Sequence, residues 1–295
     1  MEQFAYQVIP PSQLTPFSGY LLPHVERAAA SGNGAVTVCG VITGGYACGA
    51  AALELSPEDG GKLLSFFVDP QVRGLGVGSS LLRFAAEQAR SAGIRTLSLS
   101  YVLGGDELKA FDRMVRSMGA EPRFYAPVYS IFIAQLHDSR LVGRAFKPNY
   151  RIPENVIQFS ALTRQQTEEL YANPEVPRYV HPRERDQMQP ELSLAYLQEG
   201  RVTGFWLGNM SSPGNYAVQG VWRSSAAPLT TFHTLVAAHL NLCYYHGGGD
   251  YLYHCSPVGD FADELIQRYS EGKYRLLEEH QATIHLEPFE QGATS

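Results

Sequence analysis

The chain has 295 residues, of which 44% are hydrophobic, and it carries a formal net charge of −6. This length is enough for two domains of ordinary size, each with its own core. An acidic chain lacks the basic excess that nucleic acids and anionic membranes attract, so neither is expected as the main partner. The four cysteines show no CxxC spacing, the first residues do not read as a secretory signal, and no apolar run reaches the roughly 18 residues of a membrane span. We therefore expect a cytoplasmic protein with reduced thiols.

The first 135 residues read as a mixed α+β unit. A short strand, FAYQVI, precedes a helical region in which Pro23 should separate two short helices. Three apolar runs of strand length follow, AVTVCGVIT, YACGAAALEL and GKLLSFFV, and the turn residues between them predict an antiparallel meander. A helix, the strand TLSLSYV, the helix DELKAFDRMVRSMG and the strand FYAPVYSIFI complete this half.

Three alternate glycines, Gly74, Gly76 and Gly78, stand between the meander and the helix that follows it. Glycines let a backbone approach a ligand closely, and the start of a helix adds unpaired N–H groups and the positive end of its dipole. A tight strand-to-helix turn is the alternative interpretation, but one glycine is usually enough for such a turn. With Arg73 beside them, the three glycines favour a loop that binds an anion such as phosphate.

The spacing of these glycines disfavours the two common nucleotide folds. Ser79 stands where a dinucleotide fingerprint needs its last glycine, and no G-K-[ST] follows for a nucleoside triphosphate. A dinucleotide fold would also place its loop after the first strand of a βαβ unit, whereas this loop follows a meander.

The segment QVRGLGVGSSLL resembles the Q/R-x-x-G-x-G/A signature of the GCN5-related N-acetyltransferases, the GNAT superfamily, with Gln71 at its first position. The order of elements over residues 1 to about 135 is similar to that family too. The resemblance implies an acyl-CoA N-acyltransferase (GNAT) fold of the α+β class, with acetyl-CoA as co-substrate. Its pyrophosphate would bind the loop amides and its pantetheine arm the end of the fourth strand. The donor-binding residues implied in this way are Phe67, Val68, Val72, Arg73, Gly74, Leu75, Gly76, Val77, Gly78 and Ser79.

The catalytic residues are less well marked. In the family the fourth and fifth strands splay apart so that the thioester meets the acceptor amine between them, and many members place a tyrosine acid where this chain has Val115. Tyr101 is our candidate acid, with Tyr125 and Tyr129 as alternatives, and Glu54 is the candidate base. Each also has an ordinary interpretation as a strand residue. Deprotonation through water, with catalysis mainly by positioning, is a further alternative.

The second half of the chain repeats the pattern of the first at a nearly constant offset, which predicts two tandem copies of one fold. We place an acetyl-CoA-binding domain at 1–137, a linker at 138–152 and a degenerate GNAT-like domain at 153–295. The offset puts Ala227, Leu229 and Thr231, with Pro228 among them, where the first half has its glycines. These side chains would fill the pyrophosphate space, and Pro228 has no N–H to donate. We expect no acetyl-CoA to bind there in this way.

One cluster in the second half has the spacing of a metal site. His239 and Cys243 lie four residues apart, with His246 beyond them. A buried amphipathic helix is the commoner explanation, and we expect no metal.

The function expected from these patterns is transfer of an acetyl group from acetyl-CoA to a primary amine of a small molecule or a peptide. A non-catalytic acyl-CoA-binding or regulatory protein is the alternative, and a longer acyl donor is a third possibility. A homodimer stays open as its assembly.

Overall fold

A computed structural model describes residues 3–32, 34, 36–184, 188–212, 215–255 and 266–286. Its strands are β1 Ala5–Ile9, β2 Val36–Thr43, β3 Tyr46–Ser56, β4 Gly60–Val68, β5 Thr96–Leu103, β6 Arg123–Phe132, β7 Val156–Gln158, β8 Leu194–Gln198, β9 Arg201–Ser212, β10 Asn215–Arg223, β11 Leu252–Cys255 and β12 Arg275–His285. Its α-helices are α1 Pro23–Ala30, α2 Val77–Ser91, α3 Gly105–Arg116, α4 Arg164–Tyr171 and α5 Thr231–Gly247. The segment ADELIQRYSEG, which repeats the pattern of LKAFDRMVRSMG in the first half, begins outside the described residues.

The chain forms two compact units, one of Met1–Ala126 with Leu277–Ser295 and one of Pro127–Leu276. The strand order in unit 1 is β1-β2-β3-β4-β5-β12, and in unit 2 it is β6-β11-β10-β9-β8-β7. The predicted meander is present as the antiparallel strands β2, β3 and β4. Each unit also contains one parallel pair, β4 with β5 and β10 with β11, whose two strands are joined through a helix. The mixed sheet and the repeat are therefore both present.

Each sheet takes one strand from the other repeat of the sequence. In unit 1, β12 pairs antiparallel with β5 over residues 278–285 and 96–103. In unit 2, β6 pairs antiparallel with β11 over residues 129–132 and 252–255. The units therefore differ from the predicted division at 137 and 153. A sequence repeat shows which elements recur, but it does not show which of two equivalent sheet edges a strand joins.

The sheet of unit 1 is covered on both faces. Helix α2 packs on one face with an apolar stripe of fully buried side chains, Leu81, Leu82, Ala85 and Ala89 among them. The N-terminal segment and α1 pack on the other face through a second buried group, which includes Phe17, Val25 and Ala29. Pro23 begins α1, as the sequence predicted for the second of two short helical pieces; the first piece is a 3-10 turn over Thr15–Tyr20.

The predicted linker is part of unit 2. Val142, Ala145 and Phe146 are buried in the same apolar core as α5, and the side-chain amide of Asn241 on α5 donates a hydrogen bond to the carbonyl of Ala145. The segment looked like a linker because its short 3-10 turns show no helical or strand periodicity. Packing with α5 nevertheless orders it.

The helices α2 and α5 are equivalent elements in the two units. When their first residues, Val77 and Thr231, are aligned, the buried positions coincide along both helices: Leu81 with Leu235, and Ala85 with His239. This phase moves the counterparts of Gly74, Gly76 and Gly78 by one residue from the predicted positions, to Pro228, Thr230 and Phe232. Among the helices that the structure describes, none is long and apolar enough to cross a membrane.

Candidate active site

Strands β4 and β5 separate toward the glycine loop. They pair only over residues 61–63 and 97–99, although β4 continues to Val68 and β5 to Leu103. The two strand ends therefore enclose an open gap, which is the splayed arrangement that the resemblance implied.

The glycine loop, residues 73–79, begins at the end of this gap. It is held by Val72 and Val77, which are both buried. Gly74 and Gly76 have φ of +82° and +81°, a left-handed conformation that favours glycine. A Cβ added at either glycine would meet no atom within 4 Å. The backbone conformation therefore requires glycine here, and the space in front of the loop is open.

Backbone amides of the loop are available as donors. The first helical hydrogen bond of α2 runs from the N–H of Ser80 to the carbonyl of Gly76. Within the described part of the chain, no backbone bond that closes a turn or cap uses an N–H of residues 74–79, and no side chain caps α2. Several N–H groups and the positive end of the helix dipole thus converge on the open space, as anion binding requires.

Two of the predicted loop residues have roles that differ from the prediction. Gly78 lies inside the first turn of α2, where an added Cβ would make only ordinary contacts of 3.7–3.8 Å. The guanidinium of Arg73 donates to the carbonyl of Val68 (3.0 Å) and to the carboxylate of Glu107 (2.8 Å), and it lies over the ring of Phe67. Arg73 therefore supports the end of β4 rather than pointing along the loop amides.

The end of β4 also presents backbone groups to the gap. The N–H of Asp69 donates to the carbonyl of Cys48 on β3. Because peptide groups alternate sides along a strand, those of Val68 face the opposite edge, toward the gap. The carbonyl of Val68 accepts the hydrogen bond from Arg73. The Asp69 carboxylate accepts from the N–H of Gln71 (2.8 Å) and so shapes the turn, as the sequence predicted.

Tyr101 lies on β5 beyond Leu99, the last residue of β5 that pairs with β4, but its hydroxyl is engaged. It donates to the carboxylate of Asp112 at 2.7 Å. Burial, and then the hydrogen bond with Asp112, raise the pKa of Tyr101. The hydroxyl therefore stays protonated with its hydrogen directed at Asp112, which does not suit it to protonate a leaving thiolate. The alternatives lie elsewhere, since Tyr125 is 64% exposed and Tyr129 packs against Tyr274 in unit 2.

Glu54 does not reach the gap. It pairs across the sheet with Lys62, at the closed end where β4 and β5 still pair, and the two side chains form an exposed ion pair at 3.5 Å. Gly49 is the residue of β3 that pairs with Val68 at the open end. Glu54 is five residues further along β3 than Gly49, which corresponds to about 17 Å of strand. Glu54 is therefore a surface strand residue and is not placed to act as a base.

The structure adds three polar residues that the sequence reasoning missed. The Tyr20 hydroxyl lies 3.1 Å from the Asp69 carboxylate and 3.0 Å from the carbonyl of Ala47, on the α1 side of β4, and these two acceptors share its single hydrogen. Asp112 and His280 are only 8% and 9% exposed, and the His280 Nδ1 lies 3.2 Å from the Asp112 carboxylate. Two features of the sequence could have drawn attention to them. Asp112 is a carboxylate within the apolar stripe of α3, and His280 is a histidine at an inward position of an alternating strand.

The counterpart turn in unit 2, residues 224–230, uses its own amides. The N–H of Ala226 donates to the Ser224 Oγ (3.3 Å), and the N–H of Ala227 donates to the Ser224 carbonyl (3.1 Å). The N–H of Thr231 donates to the carbonyl of Pro228, which has no N–H itself. The bond from Ala227 has an equivalent in unit 1, where the N–H of Arg73 donates to the carbonyl of Pro70. The two turns therefore differ at residues 228–233, where Pro228 and Thr231 withhold two of the six donors that the glycine loop offers.

The histidine and cysteine of α5 belong to the core of unit 2. His239 has no exposed surface, and its Nδ1 lies 2.9 Å from the hydroxyl of Tyr253, which also accepts from the indole of Trp206. A further hydrogen bond joins His239 to the backbone of Leu192, and burial lowers its pKa to about 4. No group of three or more metal-ligating side chains occurs in the part of the chain that the structure describes. His239 is therefore a neutral core residue.

Comparison with known proteins agrees with this geometry. Residues 6–107 match the sequence model of the acetyltransferase (GNAT) family. A tandem GNAT protein from the clavulanic acid biosynthesis pathway shares 15% identity, with a TM-score of 0.59 over 97% of this chain and 99% of that one. A GCN5-related N-acetyltransferase from Sphaerobacter thermophilus has 15% identity and a TM-score of 0.49, with 96% of both chains covered. No curated protein matches in sequence. Residues 6–107 therefore match a GNAT-family domain, and the chain as a whole has the fold of a tandem GNAT protein.

Proposed function

We propose that unit 1 binds acetyl-CoA and transfers its acetyl group to a primary amine, and that unit 2 does not bind the donor. The observation that carries the proposal is the meeting of two features at one place. The glycine loop directs its amides at open space, and the gap between β4 and β5 begins beside it. The loop supplies donors for a diphosphate, and the gap supplies exposed strand backbone for the amides of a pantetheine arm.

The chemistry in this proposal depends on positioning more than on an acid or a base. The amine nitrogen attacks the thioester carbon, the C–S bond breaks, the amine loses a proton and the thiolate gains one. The N–H of Val68, which faces the gap, is placed to donate to the oxyanion. Neither Tyr101 nor Glu54 is placed to exchange a proton with the amine. Water carries both protons in this scheme, and the gap contributes by holding the two reactants together.

The acceptor would enter from the α1 side of β4, where Tyr20 and Asp69 lie. The ring of Tyr20 lies 5.8 Å from that of Phe67, and its hydroxyl donates to Asp69. Burial and the Asp69 carboxylate raise the pKa of Tyr20, so this hydroxyl remains a donor at neutral pH. A carboxylate at the mouth of the gap attracts a cationic amine, which agrees with an amine as acceptor.

Release of free CoA thiol tests this proposal directly. The protein is mixed with acetyl-CoA and a panel of polyamines, amino acids, aminoglycosides and lysine peptides, and binding of acetyl-CoA is measured in parallel by calorimetry. We expect one acetyl-CoA bound per chain and saturable release with at least one amine. The rate should rise with pH, because a lysine-like amine has a pKa of about 10.4 and only its neutral form attacks. No binding of acetyl-CoA would contradict the proposal.

A second candidate function is a non-catalytic acyl-CoA-binding or regulatory protein. The observation that favours it is that the hydroxyl of Tyr101 is engaged by Asp112 while Glu54 lies at the closed end of the sheet. Tight binding of acetyl-CoA without turnover on any amine of the panel would select this candidate.

A further inference from the structure

Three aromatic rings close the inner part of the gap on its α3 side. Phe66 comes from β4, Tyr101 from β5 and Phe111 from α3. The ring of Phe111 lies 4.4 Å from that of Tyr101 and meets the ring of Phe66 edge-on at 5.5 Å. Such pairs attract beyond their buried area. The three rings therefore form a continuous aromatic wall, joining the two strands where their backbones no longer pair.

The wall is anchored by buried hydrogen bonds. The hydroxyl of Tyr101 donates to Asp112 at 2.7 Å, and the same carboxylate oxygen lies 3.2 Å from the Nδ1 of His280. The other ring nitrogen of His280 lies 2.9 Å from the carboxylate of Glu278. Moving Tyr101 aside would leave a buried carboxylate with fewer partners, which is costly. A strand from the second repeat thus fixes a side chain beside the gap of unit 1.

Little depth remains between this wall and the mouth of the gap. Val68, the last residue of β4, is two residues from Phe66, which corresponds to about 7 Å along the strand. A thioester held at Val68 has that length available before its acyl group meets the rings. An acetyl group is short enough to fit in this length. Each further methylene brings the acyl chain closer to the rings, which the hydrogen bond between Tyr101 and Asp112 helps to hold in place.

We propose that the wall of Phe66, Tyr101 and Phe111 restricts the donor to short acyl groups, with Asp112 and His280 as positioning residues that hold Tyr101 in place. This inference rests on the proposed function, because it assumes that the thioester lies at the end of β4. It names acetyl-CoA and propionyl-CoA as the donor class, and it excludes longer acyl chains.

The test compares kcat/KM for acetyl-, propionyl-, butyryl- and hexanoyl-CoA with one amine acceptor. One methylene in an apolar pocket changes kcat/KM by at least about tenfold, so wild-type protein should use butyryl-CoA about a hundredfold less well than acetyl-CoA. Phe111→Ala removes the central ring and should raise the butyryl-to-acetyl ratio at least about tenfold. Tyr101→Phe keeps the ring but loses the bond to Asp112, so it should raise the ratio by a smaller factor.

Phe84→Ala is the matched control, since Phe84 is also a partly buried phenylalanine but packs against Tyr6 at 6.3 Å, away from the gap. It should leave the ratio unchanged. If Phe111→Ala does not fold, Phe111→Leu is the substitute. Equal use of hexanoyl- and acetyl-CoA by wild-type protein, or an unchanged ratio in a folded Phe111 variant, would overturn the inference. A wild-type protein that transfers no acyl group at all would instead overturn the proposed function.

Discussion

The two strand-to-helix turns of the molecule occupy equivalent places but offer different backbone donors. In unit 1 the turn ends at Gly76, with a left-handed φ of +81°, and no backbone bond that closes the turn uses an N–H of residues 74–79. In unit 2 it ends at Thr230, with an ordinary φ of −73°. Its amides bond to Ser224 and to the carbonyl of Pro228, while the guanidinium of Arg223 donates to two further carbonyls of the turn.

The comparison of the two turns shows that a helix N-terminus does not make an anion site by itself. Both α2 and α5 begin with unpaired N–H groups and the same dipole. Residues 74–79 of the first turn keep their N–H groups out of the backbone bonds that close a turn, whereas the second turn loses one donor to Pro228 and one to the bond from Thr231. Donor binding therefore depends on the conformation of the turn, and we expect it in unit 1 alone.

The largest expected effect comes from breaking the open turn. Gly76→Glu places a carboxylate in the space proposed for the diphosphate, and like charges in contact cost several kcal/mol. We expect the affinity for acetyl-CoA to fall about a thousandfold by calorimetry. Gly93→Glu is the matched control, because Gly93 has the same left-handed φ of +80° and the same open surroundings at the far end of α2.

The control separates backbone strain from loss of the site. Both substitutions should lower the free energy of unfolding to a similar extent, since both put a side chain on a left-handed residue. Acetyl-CoA affinity should be kept in Gly93→Glu. Equal affinity in the two variants would show that the loop does not hold the diphosphate.

The second difference lies about two helical turns further along each helix. The position of Ala85 in α2 is occupied by His239 in α5, and Gly208 makes room for the imidazole, since a Cβ there would collide with its Nε2. Burial lowers the pKa of His239 and of His254, also in unit 2, to about 4. Unit 2 should therefore be the acid-sensitive part of the molecule.

The direction in which the free energy of unfolding changes with pH follows from the lowered pKa values. An unfolded histidine takes up its proton near pH 6.5 and the buried ones near pH 4, so the unfolded chain binds more protons between these values. The free energy of unfolding should fall as the pH is lowered through this window, by about 3 kcal/mol for each histidine, and these groups contribute no pH dependence above it.

Urea unfolding between pH 7.5 and 4 measures this loss. His239→Gln should be less stable at neutral pH, because it disturbs the bond to Tyr253, but it should lose about half as much stability on acidification. His285→Gln, at an exposed position of β12, should leave the pH dependence as it is in the wild-type protein. A wild-type stability that does not change across this window would contradict the assignment of a neutral, buried His239.

The order of elements and the glycine loop could be predicted, because local periodicity, turn residues and a short motif determine them. The separation of β4 from β5 was implied only by the resemblance to the GNAT family. Long-range pairing could not be predicted. His280 lies within the second repeat of the sequence, yet β12 brings it to Tyr101 in unit 1. Nothing local in the sequence records which edge that strand joins, so the anchoring of Tyr101 stayed hidden.

Glu54, the predicted base, is a second case in which strand pairing could not be predicted from the sequence. Glu54 is close to the gap in the order of strands, but the register of β3 against β4 places it opposite Lys62 at the closed end. Register depends on the bulge between Ala52 and Leu53 and on the packing of both faces, which sequence distance does not show. A residue on a strand next to the gap can therefore still lie far from the open end of the gap.

The smallest effect is expected from a double variant. It tests directly whether glycine content or turn conformation decides the binding of acetyl-CoA. The double variant Pro228→Gly, Thr230→Gly gives unit 2 glycines at the places of Gly74 and Gly76. The bond from the N–H of Thr231 to the carbonyl of residue 228, which has no counterpart in unit 1, can still form. We therefore expect the calorimetric stoichiometry to stay at one acetyl-CoA per chain, with the affinity of wild-type protein.

A second molecule of acetyl-CoA bound per chain of this variant would show that glycines alone open the turn. The two units would then differ in donor binding because of two residues only. Adding Ser224→Ala tests the remaining step, since it removes the hydroxyl that accepts from Ala226 and donates to Glu175. If the site appears only in this triple variant, the side chain of Ser224 keeps the turn closed. If it appears in neither, the donors of unit 2 are withheld by the backbone bonds that close the turn.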